Sequence, residues 1–148
     1  TINKLPVSFK SDLLFINDTI ASPRKESVQI IKAQNITLYV FAINNWKRSS
    51  LEINSLFNFI KQTYNNFESL SINENFKIKH FGSYKKLPKS IKEIIENVQK
   101  KTEKNSGIQI NLAFNYSARE EIIEAINQTI IRKKNANKFK TYLYTNGI

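Results

Sequence analysis

The sequence predicts an α/β domain built on a mostly parallel sheet flanked by helices. Three observations carry that expectation. Runs rich in β-branched and aromatic residues recur along the chain, and amphipathic helical patterns separate them. Each helical pattern opens on a capping signal or a proline. The 148 residues suit a single domain, 1–148, able to bury roughly 70% of the surface its unfolded chain exposes.

The first strand is Ile36-Thr37-Leu38-Tyr39-Val40-Phe41, with the composition of a buried strand. A helix follows, with Ser49 as N-cap and Glu52, three residues on, completing a capping box. Its inner positions Leu56, Phe57, Ile60, Tyr64 and Phe67 fall at helical spacing. Phe76-Lys77-Ile78-Lys79-His80-Phe81 alternates with period two, as a half-buried strand does. Pro88 suits the first turn of a second helix whose inner face is Ile91, Ile94, Ile95, Val98 and Thr102. Gly107 precedes a third strand over 108–114. Ser117 and Glu120 then read as a second capping box, opening a helix with Ile122, Ile123, Ile126 and Ile130 inward. Helical crossovers of this length imply parallel strands. Before residue 35 the pattern is weak: 13–16 reads as a strand and 26–33 as a short helix.

Composition excludes several chemistries. The chain has no cysteine and one histidine, His80, which removes disulfides, thiolate zinc sites and cysteine nucleophiles. Its three glycines, Gly82, Gly107 and Gly147, are too scattered for a phosphate-cradling loop. The longest nearly apolar run, 36–43, is far short of the ~20 residues a membrane helix needs. The net charge of +11 points at first to nucleic acid. However, Lys, Asn and Ile make up 60 of the 148 residues, as codons rich in A and T would encode, so much of the basic excess follows from codon composition and no nucleic acid is expected. With only four arginines against 19 lysines, each arginine is the more informative cation.

In an open parallel sheet, ligands bind outside the carboxyl ends of the strands. Three polar loops fall there, at 42–48, 82–86 and 115–119. Two of the four arginines, Arg48 and Arg119, lie in them, close to helix N-termini that favour anions. A phosphorylated or otherwise anionic ligand fits such an edge.

The same loops carry a resemblance. Residues 36–48, ITLYVFAINNWKR, resemble the cis-prenyltransferase signature L-T-L-Y-A-F-S-x-E-N-W-x-R-P, which a glutamate follows four residues after the arginine, as Glu52 does here. Phe81-Gly82 followed by Leu87-Pro88 resembles the family's I-G-x-x-x-x-L-P, and residues 112–122 resemble its A-x-N-Y-G-G-R-x-E-I. The resemblance covers 25–148 and leaves 1–24 unmatched. It implies an undecaprenyl diphosphate synthase-like fold with a hydrophobic tunnel between sheet and helices. The implied reaction condenses isopentenyl diphosphate with an allylic diphosphate to give a cis-polyprenyl diphosphate, with Mg²⁺ as the family's cofactor. On this reading Asn45 is the catalytic residue. A neutral amide is no base at neutral pH, so it would orient a diphosphate or a water. Ala42, Ile43, Asn44, Trp46, Arg48 and Arg119 would bind substrate. Leu38, Val40, Phe57 and Ile60 would line the tunnel, although a plain core would use the same residues. The family further implies a cytoplasmic homodimer with room for peripheral membrane contact.

The departures shape the expectation. The family's M-D-G-N-x-R-W loop, with its Mg²⁺-binding aspartate, has no match in 1–35, so no metal ligand is identifiable. Ala42 replaces a serine, Asn44 a glutamate, and Ser117-Ala118 a Gly-Gly pair. Residues 141–148 run into the place where the family continues to P-D-L-x-I-R-T-S-G-E, so the isopentenyl subsite and most of the dimer surface would lie beyond Ile148. The expectation is therefore an incomplete domain, from a fragment or a decayed gene, with impaired catalysis. Two alternatives stay open: a non-catalytic partner subunit and a basic nucleic-acid-binding domain.

Overall fold

The computed structural model describes residues 34–133 and 135–148. The expected strand at 13–16 and helix at 26–33 lie outside them. Strand β1 is Asn35–Ala42 and a short 3-10 helix, Ile43–Lys47, follows it. Helix α1 is Ser50–Asn73, strand β2 Lys77–Phe81, helix α2 Lys89–Lys101, strand β3 Gln109–Tyr116 and helix α3 Ala118–Ile131. A last 3-10 helix spans Ala136–Tyr142. Among the described residues the sheet has the order β1-β3-β2, and both pairings are parallel. The α/β fold with a parallel sheet is the one the sequence predicts.

Local signals set the helix starts. Ser49 Oγ accepts from the Glu52 amide at 3.3 Å, and Glu52 Oε2 accepts from the Ser49 amide at 3.1 Å, which closes the capping box. Pro88 is the N-cap of α2. Ser117 is likewise the N-cap of α3, but its side chain makes no cap bond, so the second capping box does not form. The acid that matters there is Glu121, not Glu120. Buried at 4% exposure, Glu121 accepts from the Tyr116 hydroxyl at 2.6 Å and from the amide and hydroxyl of Thr145. These bonds turn α3 so that Glu121, Ala125 and Thr129 face inward. Ile122, Ile123, Ile126 and Ile130, expected inside, are exposed.

Helices α1 and α2 pack on one face of the sheet. Phe41, Leu56, Phe57, Leu87, Ile91 and Phe114 belong to the larger buried cluster, and Ile78, Val98 and Ile110 form a second one. Val40 and Phe41 both reach the larger cluster, although strand alternation would send them to opposite faces. The pairing of β1 with β3 slips between Tyr39 and Ala42 and turns Phe41 inward. β1 itself is an outer strand of the described sheet. Ile36 and Tyr39 are therefore exposed, against the expectation of a buried strand. On α2, Ile91, Ile95, Val98 and Thr102 are buried as expected, whereas Ile94 is only half-buried because it faces a cavity.

The other outer strand, β2, would present unpaired amides on its free edge. Two side chains from α2 and its C-cap cover them: Thr102 Oγ1 accepts from the Ile78 amide at 3.1 Å, and Gln99 Oε1 from the His80 amide at 2.8 Å. No described helix is long and apolar enough to cross a membrane.

Candidate functional site

Parallel strands bring the ends of β1, β2 and β3 to one edge, so the loops after Ala42, Phe81 and Tyr116 lie together. That edge carries Asn45, Trp46 and Arg48 from the first loop, Lys85 and Lys86 from the second, and Arg119 from the first turn of α3.

The loops are tied by a residue that sequence reasoning did not nominate. Asn115 is 3% exposed and adopts a left-handed backbone, φ 54°. Its Oδ1 accepts from Trp46 Nε1 at 2.7 Å, and its Nδ2 donates to the Ser83 carbonyl at 2.6 Å and the Lys85 carbonyl at 2.8 Å. Its own carbonyl accepts from the Ser83 amide at 3.1 Å. One amide side chain therefore joins all three loops. The usable signal was an asparagine at a strand end, one of the few residue types that tolerate the left-handed region.

Trp46 is held from two sides. Its indole N–H is fixed by Asn115, and its ring lies edge-on to Phe41 at 5.3 Å and to Phe57 at 5.9 Å. Asn45 Oδ1 accepts from the Ala42 amide at 2.7 Å, so its carbonyl end organises the turn. Ala42, Ile43 and Arg48 are half-buried, while Asn44 and Arg119 are exposed. Arg48 directly precedes Ser49, the N-cap of α1, where helix amides and the helix dipole add to its positive charge.

Behind this edge, between α1, α2 and the sheet, lies a mostly apolar cavity of about 490 Å³. Val40 and Ile60 line it, with Phe67, Ile94, Val98 and Phe114. Phe57 is instead 4% exposed within the larger cluster, and Leu38 packs on the second one.

His80 lies on the cavity wall. Its Nε2 donates to the Phe114 carbonyl at 2.8 Å and its ring packs edge-on against Tyr84 at 4.8 Å. Burial holds its pKa below the ordinary value, partly opposed by that hydrogen bond. The folded chain thus favours neutral His80, while the unfolded chain takes up a proton first as pH falls below about 6.5. Stability is expected to be full above that pH and to decline below it. His80→Gln keeps an N–H donor without a titrating ring. In melting curves between pH 7.5 and 5, it should flatten the upper part of the decline. An unchanged slope would show that His80 does not set it.

Among the described residues no three acidic or histidine side chains gather as a metal site. Glu52, the acid nearest Arg48 along the sequence, is engaged in the Ser49 cap.

Residues 23–148 match a family described as "Putative undecaprenyl diphosphate synthase". The isoprenyl transferase of Oceanobacillus iheyensis is 32% identical over 123 residues, covering 76% of this chain and 48% of that protein. That of Clostridium tetani is 35% identical over 127 residues, covering 80% of this chain and 50% of its own length. The chain thus spans about half the length of these curated relatives. A crystal structure described as a probable undecaprenyl diphosphate synthase from Campylobacter jejuni superposes with a TM-score of 0.71 at 24% identity. It covers 94% of this chain and 63% of that one.

Proposed function

Since the chain belongs to the undecaprenyl diphosphate synthase family of prenyltransferases, we propose that it binds an allylic isoprenyl diphosphate and holds it without efficient turnover. The diphosphate sits at the cationic edge beside Arg48, and the prenyl chain enters the apolar cavity. One observation carries this reading: a single helix, α1, starts two residues after Arg48 and supplies Ile60 and Phe67 to the cavity wall.

Each residue has a defined part. The Arg48 guanidinium pairs in a fork with diphosphate oxygens, and the first amides of α1 add donors. Asn45, with its Oδ1 on the Ala42 amide, offers its Nδ2 to a diphosphate oxygen or a water. Trp46, fixed by Asn115, packs against the allylic end. Val40 and Ile60 bury the chain and keep water from it. In the family reaction the allylic C–O bond breaks and pyrophosphate leaves with the electron pair. The isopentenyl double bond then attacks the allylic carbon, and a proton is lost. That step needs strong stabilisation of the leaving pyrophosphate, toward which Arg48 and the first amides of α1 contribute.

Titration of the purified chain with farnesyl diphosphate, with and without Mg²⁺, tests the proposal. One or two charge-assisted contacts at an open edge should give millimolar affinity for pyrophosphate alone, on the order of −4 kcal/mol, with little effect of Mg²⁺. Arg48→Ala should abolish it, while exposed Lys100→Ala should not. Measurable isopentenyl incorporation would overturn the non-catalytic part. Binding that survives Arg48→Ala but is lost in moderate salt would replace the site with a nonspecific basic surface.

A further inference from the structure

Among the described residues that line the cavity there is no Asp, Glu, Lys or Arg. Apart from His80, the wall is apolar except at Thr63, Tyr64, Asn66 and Gln99. His80 is therefore the one lining side chain that can take up a positive charge.

Its hydrogen bonds fix which nitrogen would do so. The Phe114 carbonyl can only accept, so Nε2 carries the proton of the neutral ring. Nδ1 has no hydrogen-bond partner among the described residues. No buried side-chain nitrogen among them is left unpaired, so Nδ1 is accessible, on a residue that lines the cavity. The ring itself is well held. Its backbone amide donates to Gln99 Oε1 at 2.8 Å, Gln99 Nε2 donates to the Tyr84 hydroxyl at 3.1 Å, and the Tyr84 ring packs on the imidazole.

No neighbouring carboxylate compensates an imidazolium there. From α1, Tyr64 donates its hydroxyl to Glu68, and burial first, then that bond, push the hydroxyl up to about 12. Glu68 is in turn paired with Lys101 of α2 at 2.6 Å. From α2, Glu96 acts by its charge on Tyr84, whose hydroxyl is raised chiefly by burial. β3 offers the Phe114 carbonyl and Leu112, and β1 offers Val40. Burial draws His80 down and only the bond to Phe114 opposes it. A space of about 490 Å³ with polar wall at His80 and Gln99 has room for water to solvate a charged ring. An apolar chain in the same space would displace that water and leave the charge unpaired, which is costly.

Building on the reading that the cavity takes a prenyl chain, we infer that a proton on His80 and a chain in the cavity exclude one another. The site holds its chain at neutral pH and releases it on acidification. Linkage makes the effect reciprocal, so a bound chain makes His80 harder to protonate.

The test uses the untagged chain and farnesol, which has no group that titrates in this range. His80 is the only histidine, so its imidazole proton resonances can be followed by NMR without ambiguity. Titration with and without farnesol should give a lower His80 pKa in the bound chain. Affinity for farnesol should be constant from pH 7.5 down to the pKa of the free chain, then fall by up to about tenfold per further pH unit. His80→Gln should remove that fall, and the NMR comparison on the unaltered chain serves if the variant does not fold. The inference is overturned if bound and free chains titrate together, or if His80→Gln keeps the same fall. It is overturned equally if Trp46 fluorescence shows the chain unfolding before His80 takes up its proton. Each of these leaves the cavity reading standing, provided farnesol binds at pH 7.5. Failure of farnesol to bind at that pH would remove the cavity reading, and this inference with it.

Discussion

Replacing Asn115 with alanine is expected to destabilise the fold by about 3–5 kcal/mol and to loosen the whole carboxyl edge. Three partners lose their bond at once: half-buried Trp46 Nε1 and the carbonyls of half-buried Ser83 and exposed Lys85. Each buried polar group left unpaired costs about 1–3 kcal/mol, and water admitted at the edge recovers part of that. The backbone adds its own term, since φ at this position is 54° and alanine lacks the side-chain bonds that let asparagine sit there. Asn115→Asp separates the two causes. It keeps an acceptor for Trp46 but turns a charged oxygen toward two carbonyls, so it should also be strongly destabilising. Trp46 is the only tryptophan, so its fluorescence reports the hub directly. Chemical denaturation followed at that wavelength should show a lower midpoint and a red-shifted native spectrum. A native spectrum and midpoint unchanged in Asn115→Ala would mean that the three loops are held by other contacts.

This hub also shows where sequence reading reached its limit. Local chemistry was legible: the Ser49–Glu52 box, Pro88 at the start of α2, and the period-two run of β2 need only neighbours along the chain. The parallel sheet and the shared edge of the three loops followed from helical crossovers alone. The phase of α3 was not legible, because five isoleucines among its 14 residues cover more than one face. Periodicity therefore offers more than one inward side. The choice is made by Glu121, whose partners Tyr116 and Thr145 are set by the fold and not by spacing. Asn115 was hidden for the same reason. Its partners lie 69 residues away at Trp46, and 32 and 30 away at Ser83 and Lys85. No window along the sequence contains them. The tunnel candidates divide likewise, with Val40 and Ile60 at the cavity and Phe57 and Leu38 in packed clusters, because a wall and a core use the same side chains.

Gly82→Ala should be at least as damaging as loss of the hub, again about 3–5 kcal/mol, through a different cause. Gly82 follows the last residue of β2 with φ +142°, in a region that side chains rarely enter. A Cβ there would lie 2.1 Å from the Phe114 carbonyl oxygen and 3.0 Å from that of Asn115. Both neighbours are backbone, so no side chain can swing aside, and the end of β2 must move away from β3. That movement would break the His80 bond to the same Phe114 oxygen and the Ser83 amide bond to Asn115. Gly147 provides the internal control. Its φ is also positive, at +87°, but nothing lies within 4 Å of an added Cβ. Gly147→Ala should therefore carry only the conformational cost, about 1–2 kcal/mol. Denaturant midpoints for the two variants, measured side by side, isolate the close approach from the backbone preference. If they fall by the same amount, the contact of Gly82 with β3 contributes nothing. A much larger fall for Gly82→Ala, together with weaker binding of pyrophosphate, would show that the tight joint between β2 and β3 is what holds the second loop at the edge beside Arg48.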